Sequence, residues 1–190
     1  MLVSWNSYYC YILSSAPQYY SREGVFRMTE SATRSGLYLV FVCTGNICRS
    51  PMAEIIARDE MEKDMLDLVA TVDSCGLGGW HVGQGADERA VAELRRGGHD
   101  GAGHQAAQLG PEHMDADLFV AMDTGHRDAL IERGIPKDKV RLMRSFDPNS
   151  PENAIVEDPF YGTEEDFART REEIDAAVPG LLEWIRKNHD

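Results

Sequence analysis

An uninterrupted apolar run at residues 37–42, LYLVFV, limits the fold of this chain more than any other feature. A strand with one wetted face alternates apolar and polar residues, whereas a strand covered on both faces is apolar throughout. The run ends at Cys43, and a short polar loop follows. Residues 51–63 then carry apolar residues at helical spacing, namely Met52, Ile55, Ile56 and Met61. This order of strand, loop and helix predicts a parallel sheet covered by helices.

The same alternation repeats along the rest of the chain. Three further strands are predicted, at residues 68–72, 118–122 and 140–143. Two helices that close at glycines are predicted between them, at residues 87–96 and 124–133. After a proline-bearing segment, a last helix carries one apolar stripe, formed by Phe167, Ile174, Val178, Leu181 and Ile185. The pattern predicts an α/β fold of three layers, with a doubly wound four-stranded parallel sheet and helices on both faces. In such sheets the functional groups gather at the carboxyl ends of the strands.

Residues 1–35 differ from everything that follows. They are rich in tyrosine and serine and show no sustained period. We interpret them as a poorly structured extension that precedes a single domain at residues 36–190. The alternative is that natural translation starts at Met28, in which case the residues before it do not belong to the natural protein.

Charge and cysteine content exclude several classes of protein. The net charge of -13 at pH 7 argues against a nucleic-acid binder, because such proteins use Lys and Arg to displace counterions from the phosphate backbone. No stretch has the roughly 18 to 20 apolar residues that cross a bilayer, and the first residues lack the basic start of a secretory signal. The four cysteines have neither metal-site spacing nor the density of a disulfide scaffold. The sequence therefore predicts a cytoplasmic protein and leaves export without a signal open.

The loop after the first strand carries the chemistry. It reads CTGNICRSP from Cys43 to Pro51, so a cysteine and an arginine flank a tight turn that leads into a helix. Such a turn can wrap around a tetrahedral anion, with backbone N–H groups pointing inward and the helix N-terminus adding positive charge. Gly45 and Asn46 are residue types that tolerate the positive φ of such a nest. We predict that this phosphate loop binds its anion with Thr44, Gly45, Asn46, Ile47, Cys48 and Arg49.

The side chains of the phosphate loop favour covalent catalysis. A thiol beside an arginine and a helix N-terminus ionises more readily than a free cysteine, so Cys43 is a candidate nucleophile in its thiolate form. Arg49 can grip two phosphate oxygens with its planar fork, and the hydroxyl of Ser50 can donate to the sulfur when it departs. Two interpretations of Cys48 stay open. It either fills space on the loop or traps an oxidised Cys43 as a reversible disulfide.

The sequence VCTGNICRSPMAE around Cys43 resembles the signature of the low molecular weight protein tyrosine phosphatases of bacterial type. The resemblance covers about residues 37–188 and continues through DSCG (73–76), WHVG (80–83), HQA (104–106), AMD (121–123) and EDPFYG (157–162). It implies hydrolysis of protein phosphotyrosine through a cysteinyl-phosphate intermediate, with no metal and no cofactor. It also implies that phosphate, vanadate and similar oxyanions inhibit.

The resemblance assigns supporting roles to three further residues. His104 resembles the histidine that hydrogen-bonds the loop asparagine, Ser74 is expected to brace the same loop, and Trp80 is expected to form one wall of the substrate cleft. Four other histidines are interpreted as structural, because a lone histidine usually is; these are His81, His99, His113 and His126.

A general acid must protonate the departing tyrosyl oxygen. Two Asp-Pro pairs compete for this role, at Asp147 and at Asp158, because proline biases the preceding residue toward an extended conformation. Spacing alone does not separate them. Phe160 and Tyr161 can line a slot for a phenyl ring, which favours Asp158, and the resemblance to the family's Asp-Pro-aromatic-aromatic-Gly motif selects it. Asp147 is then interpreted as a turn residue.

Two alternative functions are weighed against this prediction. Arsenate reductase of the same fold shares the loop from cysteine to arginine, but it relays oxidation through cysteines further along the chain, and none follows Cys75 here. A phosphoprotein-binding module without turnover is the second alternative. It would require damage to Cys43, Arg49 or Asp158, and all three are present.

Overall fold

The predicted alternation of strands and helices is confirmed. The computed structural model describes residues 36–189, so both predictions for residues 1–35, an extension or a start at Met28, lie outside the described residues. The strands are β1 (Leu37–Cys43), β2 (Ala70–Gly76), β3 (Leu118–Ala121) and β4 (Val140–Leu142). The α-helices are α1 (Arg49–Lys63), α2 (Glu88–Arg96), α3 (Thr124–Glu132) and α4 (Glu164–Asn188). Within residues 36–189, no helix combines the length and the apolar content that a membrane span needs.

The four strands form one parallel sheet in the order β2-β1-β3-β4. β1 is central: Cys43 lies beside Gly76 of β2, and Val42 lies beside Ala121 of β3. The chain winds from β1 to β2 on one side and reaches β3 on the other. The carboxyl end of β1 is therefore the point where the winding direction changes, which is where open α/β sheets place their ligands.

Both faces of β1 are buried, as its apolar run predicts. Leu39 and Phe41 pack with buried residues of α1, α2 and α4, whereas Val40 and Val42 pack on the opposite face, where Leu130 of α3 also lies. The three-layer, doubly wound α/β fold predicted from the sequence is confirmed. Its main consequence for function is that the end of β1 lies rigidly between two packed helical layers.

The second strand begins later and ends later than predicted. Met65 has a φ of 57°, and residues Leu66–Leu68 form a 3₁₀ turn that leaves Leu68 largely exposed, so the strand prediction at residues 68–72 was wrong at both ends. β2 starts at Ala70 and continues to Gly76, because its last residues pair with the end of β1. The small and polar residues of this extension carry no apolar pattern. They bring Ser74 to the phosphate loop.

Candidate active site

The phosphate loop joins the end of β1 to the start of α1, with Cys43 as the last strand residue and Arg49 as the first helical residue. Asn46 has a φ of 57°, the left-handed conformation that its residue type was predicted to allow. Gly45, the other residue predicted to tolerate this conformation, does not adopt a positive φ. Its lack of a side chain matters sterically, because a Cβ there would lie 2.9 Å from Cδ2 of His81.

The side chain of Asn46 holds the loop from within. Its Nδ2 donates to the hydroxyl oxygens of Ser50 and Ser74 at 2.9 and 2.8 Å, and its Oδ1 accepts from the backbone N–H of Ala107 at 2.8 Å. Nε2 of His104 lies 2.8 Å from the backbone carbonyl oxygen of Asn46, so the histidine contacts the backbone of this residue. A buried amide with partners on both its polar atoms stabilises one loop conformation.

The sulfur of Cys43 receives two hydrogen bonds. The backbone N–H of Asn46 donates to Sγ at 3.2 Å, and the hydroxyl of Ser50 donates at 2.9 Å. Cys43 is only 3% exposed and faces the N-terminus of α1, where the helix dipole favours negative charge. This environment suits an anionic sulfur nucleophile.

Arg49 is buried and fixed by four acceptors. Its Nη1 donates to Oδ2 of Asp123 at 2.9 Å and to the carbonyl oxygen of Val156 at 3.3 Å. Its Nη2 donates to Oδ2 of Asp158 at 2.7 Å and to the hydroxyl oxygen of Thr44 at 3.3 Å. Arg49 and Asp158, which the sequence predicted at one site, are therefore in direct contact. Asp123 orients the guanidinium from the side away from the cleft.

His126 lies beneath the phosphate loop. Its Nε2 is 2.9 Å from Oγ1 of Thr44, and its Nδ1 is 3.1 Å from Oδ2 of Asp123. Burial lowers the pKa of His126 to about 4, an effect that outweighs the nearby Asp123 carboxylate. The imidazole is therefore neutral at physiological pH, and Thr44 connects it to Arg49.

A cleft of about 240 Å³ opens above Cys43. The three predicted wall residues, Trp80, Phe160 and Tyr161, all line it. The rings of Phe160 and Tyr161 meet edge to face with centroids 4.9 Å apart. Trp80 and Tyr161 are 73% and 96% exposed, so they form the rim, while the sulfur lies at the floor. Large exposed aromatic side chains at a rim are well suited to hold a phenyl ring.

The two Asp-Pro pairs lie in different surroundings. Asp158 lines the cleft, its side chain is 46% exposed, and its Oδ1 accepts from the backbone N–H of Phe160 at 3.2 Å. Asp147 instead closes a turn, where it accepts from the backbone N–H of Asn149 at 2.9 Å and from the hydroxyl of Ser150 at 2.8 Å. These bonds lower the pKa of Asp147. Only Asp158 of the two can reach a substrate in the cleft.

The two other cysteines of the domain are buried thiols. Cys48 lines the cleft, and its burial, reinforced by the carboxylate of Asp87, raises its pKa. Burial likewise raises the pKa of Cys75, which packs with Val42 on the face of the sheet opposite Cys43. Both groups therefore stay protonated at neutral pH.

Known proteins share this sequence and fold. Residues 38–190 match the family model described as low molecular weight phosphotyrosine protein phosphatase. The chain belongs to this family. Low molecular weight protein-tyrosine phosphatase A of Mycobacterium tuberculosis is 47% identical over 150 residues, which are 78% of this chain and 91% of that protein.

Two solved structures of relatives extend the comparison. YfkJ from Bacillus subtilis superposes with a TM-score of 0.75 at 33% identity, over 83% of this chain and 99% of that one. YwlE arginine phosphatase from Geobacillus stearothermophilus superposes with a TM-score of 0.68 at 31% identity, over 80% and 94% of the two chains. The fold of this low molecular weight phosphatase is thus shared with a relative described as an arginine phosphatase.

Several residues that build this phosphatase site were missed from the sequence. Glu54 of α1 is buried and accepts from the Ser74 hydroxyl at 2.6 Å, so it supports the phosphate loop from behind. Asp123 lies two residues after the end of β3, close to where α/β sheets place functional groups, and this signal could have identified it. His126 had been interpreted as one structural histidine among several. It bonds the phosphate loop through Thr44, and no local sequence pattern predicts that contact.

Proposed function

We propose that this protein hydrolyses phosphotyrosine in proteins through a phosphocysteine, with Cys43 as nucleophile, Arg49 as phosphate clamp and Asp158 as general acid and base. The observation that carries the proposal is their meeting at one cleft. The sulfur of Cys43 lies at the floor, and Asp158 bonds Arg49 above it. Membership of the phosphotyrosine phosphatase family supports the same assignment.

In the first step, Sγ of Cys43 attacks the phosphorus atom. A sulfur–phosphorus bond forms while the bond from phosphorus to the tyrosyl oxygen breaks. The carboxyl group of Asp158 gives its proton to that oxygen, so tyrosine leaves as a neutral phenol. Arg49 and the inward N–H groups of the phosphate loop stabilise the charge on the three equatorial oxygens.

In the second step, the Asp158 carboxylate takes a proton from a water molecule that attacks the phosphocysteine. The sulfur–phosphorus bond breaks, and inorganic phosphate and the Cys43 thiolate are the products. The hydroxyl of Ser50 already donates to this sulfur at 2.9 Å and stabilises it as a leaving group. One carboxyl group therefore serves both steps.

The bond between Arg49 and Asp158 couples binding to catalysis. A phosphate dianion competes with Asp158 for the Nη2 donor of Arg49, which is 2.7 Å from the carboxylate. A protonated Asp158 has no charge to hold the guanidinium and releases it more readily. Substrate binding therefore frees the side chain of Asp158 from Arg49, so that it can reach the leaving oxygen.

The cleft favours an aryl phosphate as substrate. Its rim is aromatic and its floor is deep, so a short phosphoserine side chain cannot place phosphorus against Cys43. YwlE is described as an arginine phosphatase, and the remaining N–H groups of a phosphoguanidinium need hydrogen-bond acceptors, for which a carboxylate is the strongest. Asp158 is the one acidic side chain among the described residues that line this cleft. The lining therefore favours phosphotyrosine over phosphoarginine.

The proposed mechanism also indicates which ions inhibit the protein and in which compartment it works. Inorganic phosphate and vanadate are tetrahedral oxyanions, so we expect both to bind the phosphate loop and to compete with substrate. The mechanism requires Cys43 in its reduced state, which favours a reducing compartment such as the cytoplasm.

Hydrolysis of a phosphotyrosine peptide and of p-nitrophenyl phosphate in EDTA tests the proposal. Cys43→Ser should abolish turnover, and Asp158→Ala should lower it by about 10²- to 10⁴-fold, the usual contribution of a general acid. Asp147→Ala removes the aspartate of the other Asp-Pro pair and is the matched control, with activity expected near that of the parent. A phosphoarginine peptide should react far more slowly than the phosphotyrosine peptide.

The same assay separates the alternatives. Turnover that EDTA abolishes would contradict the cysteine mechanism. A protein that binds the phosphopeptide without releasing phosphate would be a binding module. Arsenate-dependent oxidation of thiols without phosphatase activity would identify a reductase.

A further inference from the structure

A second arginine, Arg89, contacts the segment that carries Asp158. It lies in the first turn of α2, and its Nε and Nη2 donate to the two carboxylate oxygens of Asp87 at 2.9 and 2.8 Å. Its Nη2 also donates to the carbonyl oxygen of Phe160 at 3.0 Å, and its Nη1 donates to that of Gly162 at 3.3 Å. The guanidinium fork thus holds a carboxylate on one side and two backbone carbonyls on the other.

Asp87 connects this arginine to the phosphate loop. The backbone N–H of Asp87 donates to the carbonyl oxygen of Ile47 at 2.8 Å, while its carboxylate accepts from the side chain and the backbone N–H of Arg89. A continuous set of bonds therefore runs from Ile47 through Asp87 and Arg89 to Phe160. It links the phosphate loop to the wall that holds Asp158.

The segment at residues 157–162, here named the acid segment, contains no helix or strand. Its internal bonds are short-range, from the N–H of Phe160 to Oδ1 of Asp158 and from the N–H of Gly162 to the carbonyl oxygen of Pro159. From outside, Arg49 bonds the carboxylate of Asp158, for which a bound phosphate would compete, and the hydroxyl of Thr170 donates to the carbonyl oxygen of Glu157 at 3.5 Å. The bonds of Arg89 go to the backbone carbonyl oxygens of Phe160 and Gly162, which do not face the phosphate as acceptors.

Ring contacts fix the plane of the Arg89 guanidinium. Its Cζ lies 4.5 Å from the ring centroid of Phe167, a buried residue of α4, and 6.0 Å from that of Phe160. Lysine has neither the planar fork nor the stacking surface, so it cannot replace these contacts together.

We propose that Arg89 is a positioning residue for the general acid. It fixes the acid segment to the phosphate loop so that the Asp158 carboxyl group reaches the leaving oxygen, and it touches no reacting atom itself. The inference rests on the proposed function. If the acid is displaced, an ester that needs a proton on its leaving oxygen reacts slowly, whereas an ester whose phenolate leaves unprotonated keeps its rate.

Two aryl phosphates distinguish this role from a general structural one. Phenol has a pKa close to that of tyrosine, about 10, and needs the acid, whereas 2,4-dinitrophenolate leaves without a proton. For Arg89→Met and Arg89→Lys, kcat/KM for phenyl phosphate should fall about 10- to 100-fold. For 2,4-dinitrophenyl phosphate it should change by less than about 3-fold. The ratio of the two values does not depend on the folded fraction, because both substrates sample the same folded enzyme.

Two further variants complete the test. Asp158→Asn removes the acid, and its loss of kcat/KM for phenyl phosphate relative to 2,4-dinitrophenyl phosphate is the largest that a displaced acid can cause. Arg95→Met replaces an exposed arginine of the same helix and should keep the ratio of the two kcat/KM values that the parent has. Suppose that Asp158→Asn lowers kcat/KM mainly for phenyl phosphate, whereas both Arg89 variants lower kcat/KM for the two esters by one common factor. Arg89 is then only structural, and the inference is overturned. If Asp158→Asn itself shows no selectivity, the proposed acid is wrong and the inference fails with it.

Discussion

His126 makes the stability of the folded protein sensitive to acid. Burial lowers its pKa to about 4, whereas in the unfolded chain the imidazole has a pKa of about 6.5. Above pH 6.5 neither state binds the proton. As the pH falls from there toward 4, only the unfolded chain binds it, so the free energy of unfolding decreases by at most about 1.4 kcal/mol per pH unit. Below about pH 4 both states are protonated and this loss stops growing.

We expect His126→Asn to remove this contribution. Between about pH 7 and about pH 4, the free energy of unfolding of the parent should fall by roughly 3 kcal/mol more than that of the variant. Urea unfolding of both proteins across this range measures the difference, and each protein at the upper pH is its own reference. Parallel pH profiles for the two proteins would contradict a buried neutral imidazole.

At the scale of the elements, the backbone of helix α4 lies directly against the backbone of the turn that follows β4. Pro179 lies inside this helix and removes one N–H donor, and the helix nevertheless continues to Asn188. A Cβ atom at Gly180 would overlap the carbonyl oxygen of Phe146, which ends the 3₁₀ turn Met143–Phe146. The absence of a side chain at Gly180 is therefore what lets α4 approach the turn that follows β4.

We expect Gly180→Ala to destabilise the protein despite the better helix propensity of alanine. The gain of about 1 kcal/mol from propensity is smaller than the cost of overlap, so the free energy of unfolding should fall by about 1 to 3 kcal/mol. Ala176→Gly, at an exposed position of the same helix, measures propensity alone and should cost about 1 kcal/mol. A Gly180→Ala variant more stable than the parent in urea would show that α4 does not pack this closely.

The elements that the sequence predicted well are those whose periodic pattern reflects burial. β1 is apolar on both faces, and α2 begins after Asp87, whose carboxylate caps it. β2 was misplaced because its extension through Ser74 to Gly76 depends on hydrogen bonds to β1 and is not marked by an apolar pattern. The apolar Leu68 favoured a strand where the left-handed Met65 in fact turns the chain. Pairing between strands is a long-range property that a local pattern does not carry.

At the scale of the whole molecule, the part of the site that was predicted depends on a local sequence pattern, whereas the part that was missed depends on long-range contacts. The phosphate loop could be predicted because its nucleophile, its helix start and its clamp are contiguous in sequence. Arg89 could not, since its acceptor Gly162 is 73 residues away, and the bond depends on how α2 and α4 pack. Glu54 was hidden for a similar reason, because it faces Ser74 across the packed interface of α1 and β2.

The net charge of the whole molecule has the same sign as the charge of its substrate. The net charge is -13, whereas the phosphate loop binds a dianion. The long-range field therefore repels anionic substrates until they reach Arg49 and the loop N–H groups. Salt weakens this repulsion, because the screening length falls from about 30 Å at 0.01 M to about 8 Å at 0.15 M ionic strength. Residues that flank phosphotyrosine in a substrate should accordingly influence its rate of association.

We expect a phosphotyrosine peptide flanked by lysines to have a kcat/KM about 10-fold higher than an equally long peptide flanked by glutamates at about 0.01 M salt. The preference should shrink several-fold at about 0.15 M, because screening lowers the association rate of the basic peptide and raises that of the acidic one. p-Nitrophenyl phosphate, which has no flanking residues, is the control and should change in the direction of the acidic peptide, since it is itself an anion. A preference that salt leaves unchanged would instead indicate direct contacts between the flanking residues and the rim of the cleft.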